Sequence, residues 1–279
     1  MDERRLIPTR LAPERFGGFP LVMAAAGDDH TIALAGNGRV WVWGSGREAQ
    51  QGSDDRACSL MPACIPAERF GCCQVVAVAA GDDHSIAITG FGDVYTWGRG
   101  ALGRLGHGGQ EDRLSPSLLE RSVFRNHPAV QAACGKFHTC IITLDGSMWL
   151  WGWNEWGQLG VGDRVHRFVP ERLNCEEAFQ GSRSLVASCG AFHTLALTEA
   201  GGVYAWGRGT GAQLGHGDRL DRLTPTRIAA AAFSRSRIIM VAAAMHYSAA
   251  VSEDGQLFTW GSAVLTDVAQ TPVGLCHGE

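Results

Sequence analysis

Residues 133–163 read ACGKFHTCIITLDGSMWLWGWNEWGQLGVGD, and residues 188–218 read SCGAFHTLALTEAGGVYAWGRGTGAQLGHGD. Both contain a Gly-x-x-His turn, an apolar run, an aromatic pair ending in Trp-Gly, and a Gly-rich loop. The Trp-Gly pair occurs five times, at Trp43, Trp97, Trp151, Trp206 and Trp260, in steps of 54, 54, 55 and 54 residues. A fixed period of this length means one supersecondary unit copied in tandem, whose copies bury their faces against one another. A residue present in every copy therefore serves the copy first.

Two positions before each of these tryptophans stands another aromatic: Trp41, Tyr95, Trp149, Tyr204 and Phe258. On a strand, that spacing puts both rings on one face. Five positions before each Trp stands a glycine, and Asn37-Gly38, Asp145-Gly146 and Asp254-Gly255 predict a two-residue hairpin turn with positive φ. The runs upstream of the turn, TIALAG, SIAITG, TCIITL, TLALTE and SAAVSE, are apolar and too short for helices. Pro8, Pro62, Pro116, Pro170, Pro225 and Pro272 keep the same beat and open segments such as PTRL and PERL. Proline at a strand's first position costs no ladder bond, so these segments read as exposed strands. Each unit becomes three or four antiparallel strands. The fold class is all-β, and a period near fifty with aromatics on one face selects a β-propeller over a parallel β-helix. One repeat domain spans 8–279, with copies at 8–61, 62–115, 116–169, 170–224 and 225–271, a partial sixth pass from 272, and a tail of 1–7.

The 279 residues carry a net charge of -4, so no sequence-wide positive field draws the chain to nucleic acid or anionic lipid. Of 24 cations only Lys136 is lysine. Nine cysteines lack a C-x-x-C pair, and adjacent Cys72 and Cys73 make a poor disulfide framework. Cys134 and Cys189 stand where other copies have Ala26, Ala80 and Ala242, as small buried hydrophobes do. A reducing compartment, cytosol or nucleus, is the expectation. The opening MDERRLIPTR has no apolar signal core, and no run of about 18 apolar residues is long enough to span a bilayer.

The combination of V-x-x-V-A-x-G-x-x-H-[ST]-x-A-[LI], D-G-x-[VM]-[YW]-x-W-G and G-Q-L-G-x-G-D resembles the regulator of chromosome condensation repeat family over roughly residues 8 to 275. The resemblance implies a seven-bladed propeller. This chain has five copies, and two more would need about 108 residues at this period. Six proline-led segments exceed what a ring of five uses, which favours an incomplete array over a five-bladed ring.

The histidines His30, His84, His138, His193 and His246 lie one to a copy beside Ser, Thr or Tyr. Symmetry spreads them around an axis, which suits turn-tying residues and not a metal site with bonds of about 2.0 to 2.1 Å. Together with Trp43, Trp97, Trp151, Trp206 and Trp260 they form the structural signature. The acidic pairs Asp28-Asp29 and Asp82-Asp83 read as solvated turns. His107 and His216 occupy the slot of Val161 and carry no obligatory chemistry. The Gly-rich loops lead into no helix and no Gly-Lys-Ser/Thr, so turn geometry explains them. No catalytic, metal or cofactor constellation emerges. Trp153 and Trp156 stand outside the repeated pair, in slots held by Arg99 and Leu102 or by Arg208 and Gly211 in other copies. They read either as packing onto the adjoining blade or, with Arg99, Arg104 and Arg208, as a partner-binding hot spot.

Two functions follow. The first is a non-enzymatic interaction scaffold for protein partners, needing no cofactor. The second, implied by the resemblance, is a guanine nucleotide exchange factor for a Ran-like small GTPase. That activity would need a wedge-like insertion, and the even spacing leaves no room for one. An ultraviolet-sensing branch of the fold would set Trp beside the repeated His in G-W-R-H-T, where this chain has Asp, Phe or Met.

Overall fold

The computed structural model describes residues 9–261 and the backbone of 273–275. Five four-stranded antiparallel sheets follow in chain order. The first holds β1 (Leu21–Ala26), β2 (His30–Ala35), β3 (Val40–Gly44) and β4 (Ser59–Cys64). The second holds β5 (Val75–Ala80), β6 (His84–Thr89), β7 (Val94–Gly98) and β8 (Arg113–Leu119), and the third β9 (Ala129–Cys134), β10 (His138–Thr143), β11 (Met148–Gly152) and β12 (Arg167–Arg172). The fourth is β13 (Ser184–Cys189), β14 (His193–Thr198), β15 (Val203–Gly207) and β16 (Arg222–Arg227). The fifth is β17 (Ile238–Ala243), β18 (Tyr247–Ser252), β19 (Leu257–Gly261) and β20 (Val273–Leu275). This is a propeller of five blades.

The innermost strands are rich in alanine because they converge, and their ends line a central cavity of ≈ 460 Å³. They pack in succession, β1 on β5, β5 on β9, β9 on β13 and β13 on β17. Among the described residues β17 makes no such packing with β1, so the array is an open arc. β20 pairs with β19 and supplies the outer strand of the fifth sheet. Residues 9–12 form no strand, while Pro8 and Pro272 lie outside the described residues.

Two local expectations are corrected. Pro62, Pro116, Pro170 and Pro225 stand inside the outer strands, not at their starts. The ladder shifts register there, between Val42 and Gly44 in the first sheet, and an edge bulge leaves the missing N–H without consequence. The hairpin loop has three residues: Gly38 N donates to Ala35 O and Ala35 N to Arg39 O, with positive φ at Gly38 alone. This is a type I turn followed by a glycine bulge.

Each sheet offers an aliphatic face to the aromatic face of the next. Ile32, Leu34, Val40 and Val42 pack on Val75, Tyr95 and Trp97, and the same pairing recurs at three further junctions. A phenylalanine in the turn before each sheet, Phe16, Phe70, Phe124, Phe179 and Phe233, stands edge-on to the first aromatic at 4.8 to 5.7 Å. That edge-to-face geometry suits the ring quadrupoles.

A polar tie crosses each junction. His30 Nε2 lies 2.9 Å from Ser85 Oγ, His84 from Thr139 at 2.9 Å, His138 from Thr194 at 3.0 Å, and His193 from Ser248 at 2.9 Å. Each hydroxyl donates its proton to a loop carbonyl of the preceding repeat, on Gln50, Arg104, Gln158 or Gln213. The ring is therefore the donor in each tie. The same carbonyl accepts from the indole N–H of Trp97, Trp151, Trp206 or Trp260 at 2.9 to 3.0 Å. Burial lowers His30 to about 4, His193 to about 3 and His84 well below the ordinary imidazole value. Loop glycines serve this contact: a Cβ on Gly52 would stand 2.7 Å from Trp97 Nε1.

The fifth member departs from the sequence reading. In the strand register, Tyr247 and not His246 pairs with Gly261 as His193 pairs with Gly207. His246 falls one residue early, in the slot of Asp29, Asp83, Phe137 and Phe192. By the same frame the slot of Cys134 and Cys189 belongs to Ala243, not Ala242.

Candidate functional site

The Gly-x-x-His turns and the loops after Trp-Gly come together at one end of the sheets, and their variable positions decide what that end offers. Among the described residues no group of three His, Cys, Asp or Glu side chains could hold a metal.

Trp153, on the loop after β11, is half-buried and edge-on to Phe137 at 5.3 Å and to Phe192 of the next sheet at 5.4 Å. Phe192 in turn lies 5.9 Å from the His246 ring. Arg208 lies over Trp156 at 4.7 Å and over Phe192 at 5.5 Å, and Arg164 approaches Trp156 at 6.0 Å. These distances are those of cation–π pairs. Arg208 Nε donates to Thr210 Oγ1, and among the described residues no carboxylate pairs with it. The third and fourth sheets thus present a partly exposed platform of Phe137, Trp153, Phe192, Trp156 and Arg208. Trp153 and Trp156 bridge adjoining sheets and keep part of each ring in water.

The neighbouring end of the surface is acidic. Lys136 Nζ binds Asp82 at 2.8 Å, and Arg99 reaches Asp83 at 3.4 Å and Glu48 at 3.7 Å. Asp82 raises the Lys136 ammonium, mainly through their hydrogen bond. Asp28 and Asp29 are exposed.

Arg104 is corrected as a partner-binding residue, because it is 1 % exposed. Its guanidinium lies over Phe137 at 4.7 Å, reaches Asp83 at 3.4 Å and donates through Nε to Ala101 O. Other copies hold Gln50, Gln158 and Gln213 in this slot, each accepting through Oε1 from a loop N–H. In the second copy Gln110 takes that N–H, from Leu102, and so frees the slot for arginine. Arg104 supports the platform from beneath; Arg99, Arg208, Trp153 and Trp156 remain at the surface.

Sequence reading missed Phe137 and Phe192. The available signal was that aromatics replace Asp29 and Asp83 at a position the repeat does not fix, directly before the histidine.

The family model described as RCC1-like domain matches residues 2–271. The chain is 37% identical to the ultraviolet-B receptor UVR8 of Arabidopsis thaliana, over 93% of this chain and 57% of the receptor. It is 34% identical to the E3 ubiquitin-protein ligase HERC2 of Homo sapiens, over 91% of this chain and 5% of the ligase. Among solved structures, human WBSCR16 superposes with a TM-score of 0.80 at 26% identity, over 92% of this chain and 67% of that one. Prp20p of Saccharomyces cerevisiae, described with its binding properties to Gsp1p and histones, gives 0.78 at 26% identity, over 92% and 66%. The chain spans less than two thirds of the length of both curated relatives. Among the described residues no helix is long and apolar enough to cross a membrane.

Proposed function

Because the chain belongs to the RCC1-like domain family, we propose that it is a non-enzymatic protein-interaction scaffold whose aromatic and basic platform captures a protein partner. One observation carries this reading: Trp153 and Trp156 are half-exposed, lie outside the junction ties, and stand with Arg208, which has no carboxylate partner among the described residues. Trp and Arg dominate interface hot spots because they bury large area around a directional donor. The eight cysteines among the described residues are free, which fits the reducing cytosol or nucleus.

The test is affinity capture with the wild-type chain and a Trp153→Ala/Trp156→Ala variant, read by quantitative mass spectrometry. The variant keeps the wild-type melting temperature and loses the captured proteins, with affinity for an isolated partner reduced about 30-fold, as a 2 kcal/mol hot spot requires. Capture of the same proteins by both chains would remove the platform as the binding surface. Similarity to Prp20p favours a second reading, exchange on a Ran-type GTPase. Its test is release of labelled nucleotide, and acceleration by micromolar chain would replace the scaffold reading.

A further inference from the structure

Cysteine replaces the usual residue of the repeat on both sides of one sheet junction. Cys140 stands in β10 opposite Leu150, in the slot that Ile32, Ile86, Leu195 and Ala249 fill in the other sheets. Cys189 closes β13 opposite Thr194, in the slot of Ala26, Ala80 and Ala243. Both side chains belong to the core between the third and fourth sheets, beside Ala133, Ala187 and Ala196, and the Cys140 S–H donates to the Cys189 sulfur. The other junctions pack Ile32 with Ala80, Ile86 with Cys134, and Leu195 with Ala243. Cys134 thus packs with an aliphatic side chain and serves as filler. At the junction of the third and fourth sheets the exchange has gone through on both partners of one contact, and two thiols meet.

The two sulfurs differ in access. Cys189 lines the central cavity with Ser188 and Gly190, whereas Cys140 is fully buried and takes no part in the lining. They differ in character in the same sense. The hydrogen bond from Cys140 holds the Cys189 thiol below its ordinary value against the cost of burial, with His138 and Thr194 adding to it, while burial pushes the Cys140 thiol up. The thiolate is the reactive form of cysteine. The sulfur that a small reagent in the cavity meets first is therefore also the more nucleophilic one, and a second thiol stands within its reach.

We infer that Cys189 is an oxidation site for a small hydroperoxide entering the central cavity, and that Cys140 resolves it as a disulfide between the third and fourth sheets. The Cys189 sulfur attacks the outer oxygen of the hydroperoxide: an S–O bond forms, the O–O bond breaks, and the alkoxide leaves as the alcohol, taking up the proton that Cys189 released. The Cys140 sulfur then attacks the Cys189 sulfur: the S–S bond forms, the S–O bond breaks, and hydroxide leaves as water with the Cys140 proton. Two thiols are oxidised, one hydroperoxide is reduced, and no further reactant is needed. The free thiols of the resting chain are the reduced end of this couple, as a reducing compartment with transient disulfides requires. This inference is independent of the platform's role.

The experiment exposes the full chain to hydrogen peroxide at neutral pH, blocks the remaining thiols with N-ethylmaleimide in denaturant, and maps tryptic peptides by mass spectrometry. The expected product is a cross-linked Cys140–Cys189 peptide, formed about tenfold or more faster than the exposed Cys72 is oxidised, and cleaved again by dithiothreitol. In Cys140→Ala the sulfenic acid on Cys189 persists, and dimedone labels it about tenfold or more above wild type. In Cys189→Ala, Cys140 stays reduced. Alanine fills both slots in the fifth sheet, as Ala243 and Ala249, so both variants keep the fold. Oxidation that begins at Cys58, Cys64, Cys72 or Cys73 while Cys189 stays reduced overturns the inference. So does a disulfide between Cys189 and Cys134, or dimedone labelling of Cys189 that is the same with and without Cys140.

Discussion

Replacing Thr139 by valine removes one hydroxyl from the middle of a sheet junction and leaves the side chain's shape unchanged. That oxygen accepts from His84 Nε2 at 2.9 Å and donates to Arg104 O at 2.9 Å. Arg104 O keeps a second donor, Trp151 Nε1 at 2.9 Å, so the acceptor side is barely affected. His84 is fully buried and its N–H loses its only partner. An orphaned buried donor costs about 1 to 3 kcal/mol, so Thr139→Val should destabilise by about 2 kcal/mol. Thr31→Val is the internal control. Among the described residues the same hydroxyl in the first sheet faces no histidine and no carbonyl, and its loss should fall within about 0.5 kcal/mol. Urea unfolding followed by tryptophan fluorescence reads both, and at a slope of about 2 kcal/mol per molar the expected shifts are roughly 1 M and under 0.3 M. Equal shifts for the two variants, or a neutral Thr139→Val, would refute the account of the tie.

Three further outcomes are expected. Acidification from pH 6.5 to 5 should cost about 2 kcal/mol for each of His30 and His193: their folded values lie at about 4 and 3, so only the unfolded chain takes up protons in this window and stability falls with pH. An unfolding midpoint independent of pH across that range would contradict it. Arg104→Ala should cost about 3 kcal/mol, since it strips a buried guanidinium from Asp83 and Phe137, whereas Arg99→Ala at the surface should stay within about 0.5 kcal/mol, both read from thermal melts. Trp97→Ala should cost about 3 to 5 kcal/mol, as a large buried aromatic does, and Trp43→Ala clearly less because its ring is only half-buried.

The five-beat Trp-Gly pattern made the sheets legible because the tryptophan closes the contact between copies: the indoles of Trp97, Trp151, Trp206 and Trp260 donate across the four internal junctions. The histidine letter was a poorer guide. Every slot histidine stands 13 residues before its tryptophan, and counting back from Trp260 gives Tyr247, so the frame was present but was read from the wrong residue. The phenylalanine of the inter-sheet turns kept the same period and went unnoticed because its flanking residues vary. Nothing in the sequence marks Arg104 as different from the loop-face Arg99 and Arg208, because Asp83 and Phe137 converge on it only in the fold. Phe137 and Phe192 were legible in principle, as departures from aspartate at a position the scaffold leaves free.

The acceptor at the centre of each junction is a main-chain oxygen, on Gln50, Arg104, Gln158 and Gln213. Main-chain oxygens are indifferent to mutation. Evolution can rewrite the side chain attached to that same residue, as the exchange of glutamine for Arg104 demonstrates, while the masonry between blades stays intact. The buried support beneath the loop and the tie between blades thus vary independently at one residue, and the chain can rebuild the footing of its surface at little risk to its folding.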